Sequence, residues 1–188
     1  MCGRYTLSKT DSINHKVRAN VAPSFNIAPS QDVLIFAGKY GFAKWGFTPE
    51  WSKKPITIIN ARSETFETKA TFRGTQRCVF IADGWFEWDQ NHQPKKPHFF
   101  HLNFEIFYFG GILANKGCAI VTRPAHKKIS HIHPRQPTIL DRNQALSWLN
   151  GETIFSDSLS NKIDFFPVST YVNAPENNDA NCIKNEAL

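Results

Sequence analysis

A chain of 188 residues with 41% apolar and 20% charged residues is long enough to bury one sizeable core and too apolar to be disordered. It carries 22 Lys and Arg against 16 Asp and Glu, a net charge of +6, while its last sixteen residues, 173–188, hold three acids and one base. The apolar run IFYFGGILA (106–114) is too short to cross a bilayer, and MCGRYTLSKTDS lacks the apolar stretch of a signal peptide, so a soluble, cytoplasmic chain (nucleoid-associated if bacterial) is expected.

In chain order, the strand candidates are RYTL (4–7), DVLIF (32–36), YGFAKWGF (40–47), ITIINA (56–61), CVFIADGWFEW (78–88), HFFHLN (98–103), IFYFGGIL (106–113), GCAIVT (117–122) and PTIL (137–140). Each is rich in β-branched or aromatic residues and is bounded by Gly, Pro, Asn or Asp. Three helices are expected: DSINHKVRA (11–19), ETFETKATF (64–72) and DRNQALSWLNG (141–151). The third has Asp141 as N-cap, a Leu146/Leu149 apolar face and Gly151 as stop. Strands in runs, with few helices between them, predict one α+β domain over residues 2–173, mostly antiparallel and barrel-like. The polar segment 174–188 reads as a loose tail.

A basic body suits a polyanion, nucleic acid being the commonest, though such a charge also serves plain solubility. Cys2, Cys78, Cys118 and Cys182 lie far apart with no CxxC pair, and His131 and His133 have no third ligand at metal spacing; no metal or other cofactor is expected.

Cys2 carries the most chemistry. Removal of Met1 would leave an α-amine with a pKa of about 8 beside a thiol of about 8.5. Such a thiol can attack an acyl carbon with the amine as its base, or rest in a structural role. Alternatively, amine and thiol together can close a five-membered thiazolidine on one aldehyde. Only an N-terminal Cys offers both groups on adjacent carbons. In NARSET, Asn60, Arg62 and Glu64 alternate and share one face of an extended segment, with a guanidinium fork suited to phosphate. In ADGWFEW, Glu87 lies among Trp85, Phe86 and Trp88, where desolvation would lift its pKa towards neutrality. His133 precedes an Arg-Pro turn region containing Arg135, and Trp45 and Trp51 lie among Lys44, Lys53 and Lys54, as in a stacking platform for unpaired bases.

The ordered set MCGRY, FNIAP, KWGFTPEW, NARSET, RCVFIADGWFEW, KKP, HIHPRQPTIL and FPVS resembles the SRAP (SOS response-associated peptidase) family over about residues 2–173. The resemblance implies that mature Cys2 traps abasic sites in single-stranded DNA as a thiazolidine crosslink. Asn60 would orient the sugar or the amine, Glu87 would move protons, and His133 would assist ring opening and reversal. Arg4, Arg62 and Arg135 would hold phosphates, and Trp45 and Trp88 would meet the bases. The partner would be single-stranded DNA bearing the lesion, at a junction with duplex in some settings, with the protein a monomer away from membranes. Gln136 stands where the family usually carries Met. A thiol (auto)peptidase that removes Met1, or a non-covalent reader of modified DNA, are the alternative functions.

Overall fold

The computed structural model describes residues 2–17, 20–54, 56–153 and 156–186. The fold is α+β, built on two antiparallel sheets. In the first, β2 (Ser24–Ile27), β1 (Tyr5–Leu7), β7 (Gly84–Asp89), β8 (Lys96–His101) and β13 (Asp164–Pro167) lie side by side in that order. In the second the order is β4 (Tyr40–Lys44), β3 (Asp32–Phe36), β6 (Gln76–Ala82), β9 (Phe107–Ala114), β10 (Gly117–Pro124) and β11 (Arg135–Pro137). There β12 (Ile139–Leu140) adds to β9, and β5 (Asn60–Arg62) runs parallel to β10. Neither strand order closes on itself; the barrel-like expectation resolves into two open sheets.

Both sheets bury apolar faces against a common core. Tyr5 of the first packs edge-on to Trp45, Phe80 and Phe109, with ring centroids 5.3, 6.3 and 5.8 Å away. Trp85 and Phe100 stack at 5.1 Å in the same core. Each buried aromatic contributes about 1.5–3 kcal/mol through area removed from water, so this cluster anchors the start of β1 and with it the N-terminal segment.

The expected strand 78–88 is two strands that belong to different sheets, and Asp83 is where the chain crosses. Its carboxylate is buried and collects donors from the far end of β1: the Thr6 hydroxyl, the Ser8 N–H at 2.6 Å and hydroxyl at 2.8 Å, and the Lys9 N–H at 2.8 Å. Gly84 follows because a Cβ there would fall inside the Phe99 ring.

Helix α1 spans Asp11–Val17; residues 18 and 19 of the expected helix lie outside the described residues. Residues 64–72 are not an α-helix but turns ending in a 3-10 turn at Ala70–Phe72. Thr65, Thr68 and Thr71 are stiff at χ1 and favour such local turns. Helix α2 (Arg142–Leu149) has its expected cap: the Asp141 carboxylate accepts the Gln144 N–H at 2.8 Å while the Gln144 side chain accepts the Asp141 N–H. Its buried face, however, is Ala145 and Trp148, not Leu146, which is exposed. The indole decides the orientation, since its N–H reaches the Cys78 carbonyl at 2.9 Å beneath the helix.

The polar C-terminal segment also departs from expectation. Through residue 186 it packs on the first sheet, with Cys182 and Val172 buried. Buried Asn26 explains this, because its amide donates to the carbonyls of Val172, Ala174 and Asn177 at 3.1, 3.0 and 2.7 Å. A segment poor in apolar residues is thus held through its backbone acceptors, with Cys182 and Ile183 joining a small apolar cluster around Phe86 and Phe99. Residues 187 and 188 lie outside the described residues.

Candidate active site

Four segments distant in sequence meet where β1 begins. Residues 2–4 run alongside β7, fixed by the Phe86 N–H donating to the Arg4 carbonyl at 3.0 Å. This puts Cys2, wholly buried, next to Glu87, and the Asn60 amide of β5 donates to the Cys2 carbonyl at 2.9 Å. His133, from the loop before β11, places Nδ1 at 3.8 Å from a Glu87 carboxyl oxygen. The four residues expected to do the chemistry are therefore one cluster.

Burial sets the proton affinities of this cluster. It pushes the Cys2 thiol well above its ordinary value, and the Glu87 carboxyl beside it pushes in the same direction. Glu87, 3% exposed, is raised to about 7, chiefly by burial. Burial also lowers His133. A carboxyl raised to about 7 is about half protonated at neutral pH and faces an imidazole lowered by burial, so the Glu87–His133 pair is a proton-exchanging contact rather than a fixed ion pair. His133 Nδ1 lies 3.0 Å from both the N–H and the carbonyl oxygen of Arg135, accepting from the first when the imidazole proton is on Nε2 and donating to the second when it is on Nδ1. The Asn60 side-chain oxygen is buried and has no hydrogen-bond partner among the described residues. An acceptor so placed, with its amide already held by the Cys2 carbonyl, suits an N–H donor at the chain's start.

The expected DNA-binding residues fall into three groups. Arg62 is exposed on the face it shares with Asn60, and no side-chain hydrogen bond or ion pair engages it among the described residues. Arg135 lies next to it across Thr122, forked onto the Glu64 carboxylate and donating to the Thr122 carbonyl at 2.6 Å. That fork holds the Glu64 carboxyl at about 2. Arg4 is committed inside the protein: one guanidinium nitrogen donates at 2.8 Å to both the Asn26 side chain and the Val172 carbonyl, with the charge 5.8 Å over the Trp88 ring. The Trp88 indole in turn donates to Asn173 at 2.8 Å. Arg4 and Trp88 thus tie the C-terminal segment to the strand that carries Cys2.

Trp45 cannot stack on a base as expected. It is 0% exposed, and its indole N–H donates to the Ile59 carbonyl at 2.9 Å. The exposed ring of the same stretch is Trp51 at 61%, and Phe42 is exposed at 55%. The sequence signal was the interleaving of aromatic and cationic residues in FAKWGFTPEW; which tryptophan faces solvent depends on where the β4 extension ends. Trp45 continues that strand inward, bridged to Cys118, whereas Trp51 follows the Pro49 turn.

Comparison with known proteins finds relatives over nearly the whole chain. The family described as SOS response associated peptidase (SRAP) matches residues 1–175. Among curated proteins, the abasic site processing protein YoaM of Bacillus subtilis (strain 168) is 30% identical, with 99% of each chain covered. The abasic site processing protein YedK of Escherichia coli (strain K12) is 27% identical, covering 98% of this chain and 99% of that protein. A crystal structure of a protein from Bacteroides thetaiotaomicron superposes with a TM-score of 0.79 at 19% identity, over 98% of this chain and 99% of that one.

Proposed function

From the premise that this chain belongs to the SOS response-associated peptidase family, we propose that it traps abasic sites in single-stranded DNA by a covalent bond to Cys2 after Met1 is removed. Met1 itself lies outside the described residues. The observation that carries the reading is the convergence of Cys2, Asn60, Glu87 and His133, with the Asn60 amide fixed on the Cys2 carbonyl at 2.9 Å. The names of the related proteins, which process abasic sites, support the substrate class.

The chemistry follows from the proton affinities. A ring-closed abasic sugar opens to its aldehyde when a base takes the proton of the anomeric hydroxyl and an acid returns one to the ring oxygen. His133, lowered by burial, and Glu87, raised to about 7, are matched to those tasks. The Cys2 amine adds to the aldehyde carbon, and the resulting hydroxyl leaves as water with a proton from Glu87, which gives an imine. The thiol then adds across the C=N bond: sulfur bonds to carbon and the thiol proton passes to nitrogen. The thiazolidine contains every atom of amine, thiol and aldehyde except the water lost.

A thiol held well above its ordinary pKa suits this order of events, since it keeps its proton until the imine is formed. The same shift disfavours a thiol peptidase that rests as a thiolate, but not one in which the α-amine takes the thiol proton during attack. Arg62, exposed beside the site, is the phosphate contact this reading favours, and Trp51 is the ring available to stack on a neighbouring base.

The test is a denaturing gel of processed protein with an oligonucleotide bearing one abasic site, the intact mass establishing that Met1 is absent. A slow band that requires both the lesion and Cys2, and is lost in Cys2→Ser, supports the reading. No such band from processed protein sinks it and leaves non-covalent recognition.

A further inference from the structure

A groove of about 640 Å³ lies apart from the Cys2 cluster. It opens at the other end of the N-terminal strand, where Lys9 lies on the order of 20 Å of extended chain from Cys2. The half-buried Ile106 and Leu159 give it apolar surface over the buried Ile13, Ile81, Leu102 and Phe107. Around these stand Lys9, Lys16, Arg142 and Lys162, all exposed and brought from four separate parts of the chain.

These cations differ from the paired arginines of the protein and share with Arg62 the lack of a carboxylate partner among the described residues. Arg77, Arg123 and Arg135 are each paired with a carboxylate. None of the four side chains at the groove makes a hydrogen bond or ion pair among the described residues. Two acids share the lining, but the Asp141 carboxylate is spent on capping α2, which leaves Glu105 as the acid open to an incoming cation. The groove therefore presents unneutralised positive charge around apolar surface.

Nucleic acid is a poor match for this lining. An unpaired base needs an exposed ring face, and the three rings of the lining are engaged: Tyr40 packs edge-on to Phe36 at 4.9 Å, Phe107 is buried, and Tyr108 is half-buried. Of the exposed rings, Trp51, Phe42 and Tyr171 line other grooves, and Phe104, beside the lining, is stacked on His101 at 3.8 Å. Aliphatic floor and cationic rim together fit side chains of the opposite pattern. We propose that the groove docks an extended acidic peptide of a partner protein, with a Leu-, Ile- or Phe-type side chain on the apolar floor and flanking carboxylates against Lys9, Lys16, Arg142 and Lys162. Being separate from the Cys2 cluster, it can be filled while that cluster is occupied.

The probe is a fluorescein-labelled synthetic peptide in which Asp and Glu alternate with Leu and Phe, read by anisotropy against the full chain. Its twin carries Lys at every acidic position. The acidic peptide should bind, weaken with added salt, and lose roughly tenfold or more in affinity on Lys16→Glu with Arg142→Glu. Lys184→Glu, outside the groove, should leave it unchanged. Melting temperature checks folding, and the milder Lys16→Gln with Lys162→Gln should give a smaller loss in the same direction. The proposal is overturned if the acidic peptide binds no better than its twin, or if both groove variants bind it like the parent. It is equally overturned if undamaged single-stranded oligonucleotide, rather than peptide, is what the groove variants stop binding.

Discussion

Replacing Glu87 by Gln should stabilise the protein above neutral pH while removing its chemistry. Burial raises this carboxyl from 4.5 to about 7, so the folded state holds the proton more tightly than the unfolded chain does. The contribution to stability is greatest below pH 4.5, declines as pH rises through the interval up to about 7, and beyond that the folded protein bears a buried charge. A displacement of this size corresponds to roughly 3 kcal/mol of pH-dependent stability. Glutamine is neutral throughout and escapes the decline. Urea or thermal unfolding should therefore give similar stabilities for parent and Glu87→Gln near pH 5. By pH 8 the variant should be ahead by up to about 3 kcal/mol, or roughly 6–12 °C in melting temperature for a chain of this size. Crosslinking should fall by about 10²–10⁴-fold, the usual worth of a positioned acid–base group. Parallel stability curves for the two proteins from pH 5 to pH 8 would refute the claim that Glu87 is held neutral by burial.

Trp51→Ala should weaken binding to undamaged single-stranded DNA by about 1–3 kcal/mol with little change in melting temperature. Trp45→Ala should do the reverse, costing about 3–5 kcal/mol of stability because its ring is wholly buried; equal effects of the two on DNA affinity would contradict the assignment. Asp83→Ala strips a buried acceptor from the Thr6 hydroxyl, Ser8 and the Lys9 N–H. It should cost about 3 kcal/mol or more in denaturant unfolding, and a loss below 1 kcal/mol would mean water replaces it. Arg62→Ala should lower the slope of log affinity against log salt by about one, measured by anisotropy with undamaged DNA; an unchanged slope would remove Arg62 from the phosphate contacts.

Cys2, Glu87 and His133 stand out in the sequence as a thiol at residue 2, a carboxylate among aromatics and a histidine beside an Arg-Pro stretch, and the family resemblance joins them with Asn60 into one candidate set, which the fold brings together. The sequence pattern also revealed which residues extend as strands. What it hid was set by tertiary contacts. The switch of sheets at Asp83 depends on donors from residues 6–9, seventy-odd positions away. Trp45 and Trp51 have the same composition around them, and only the inward course of the chain past β4 separates a core ring from a surface one. Arg4 has the charge of a phosphate contact but faces Val172 and Asn26, partners no local window contains. The polar C-terminal segment lacks apolar periodicity, and its order comes from long-range ties: the buried Asn26 amide feeding its carbonyls, the Asn178 side chain accepting the Phe25 N–H, and Cys182 packed in a small apolar cluster.

The tie between Arg4, Asn26 and residues 172–177 holds the residues beside β1 to a segment 168 positions further along the chain. Contacts of such sequence separation must overcome a large loop-closure entropy and form late in folding. A partly folded chain therefore lacks the brace behind Arg4 until long-range contacts are in place, and with it the burial that sets the proton affinities of Cys2 and Glu87.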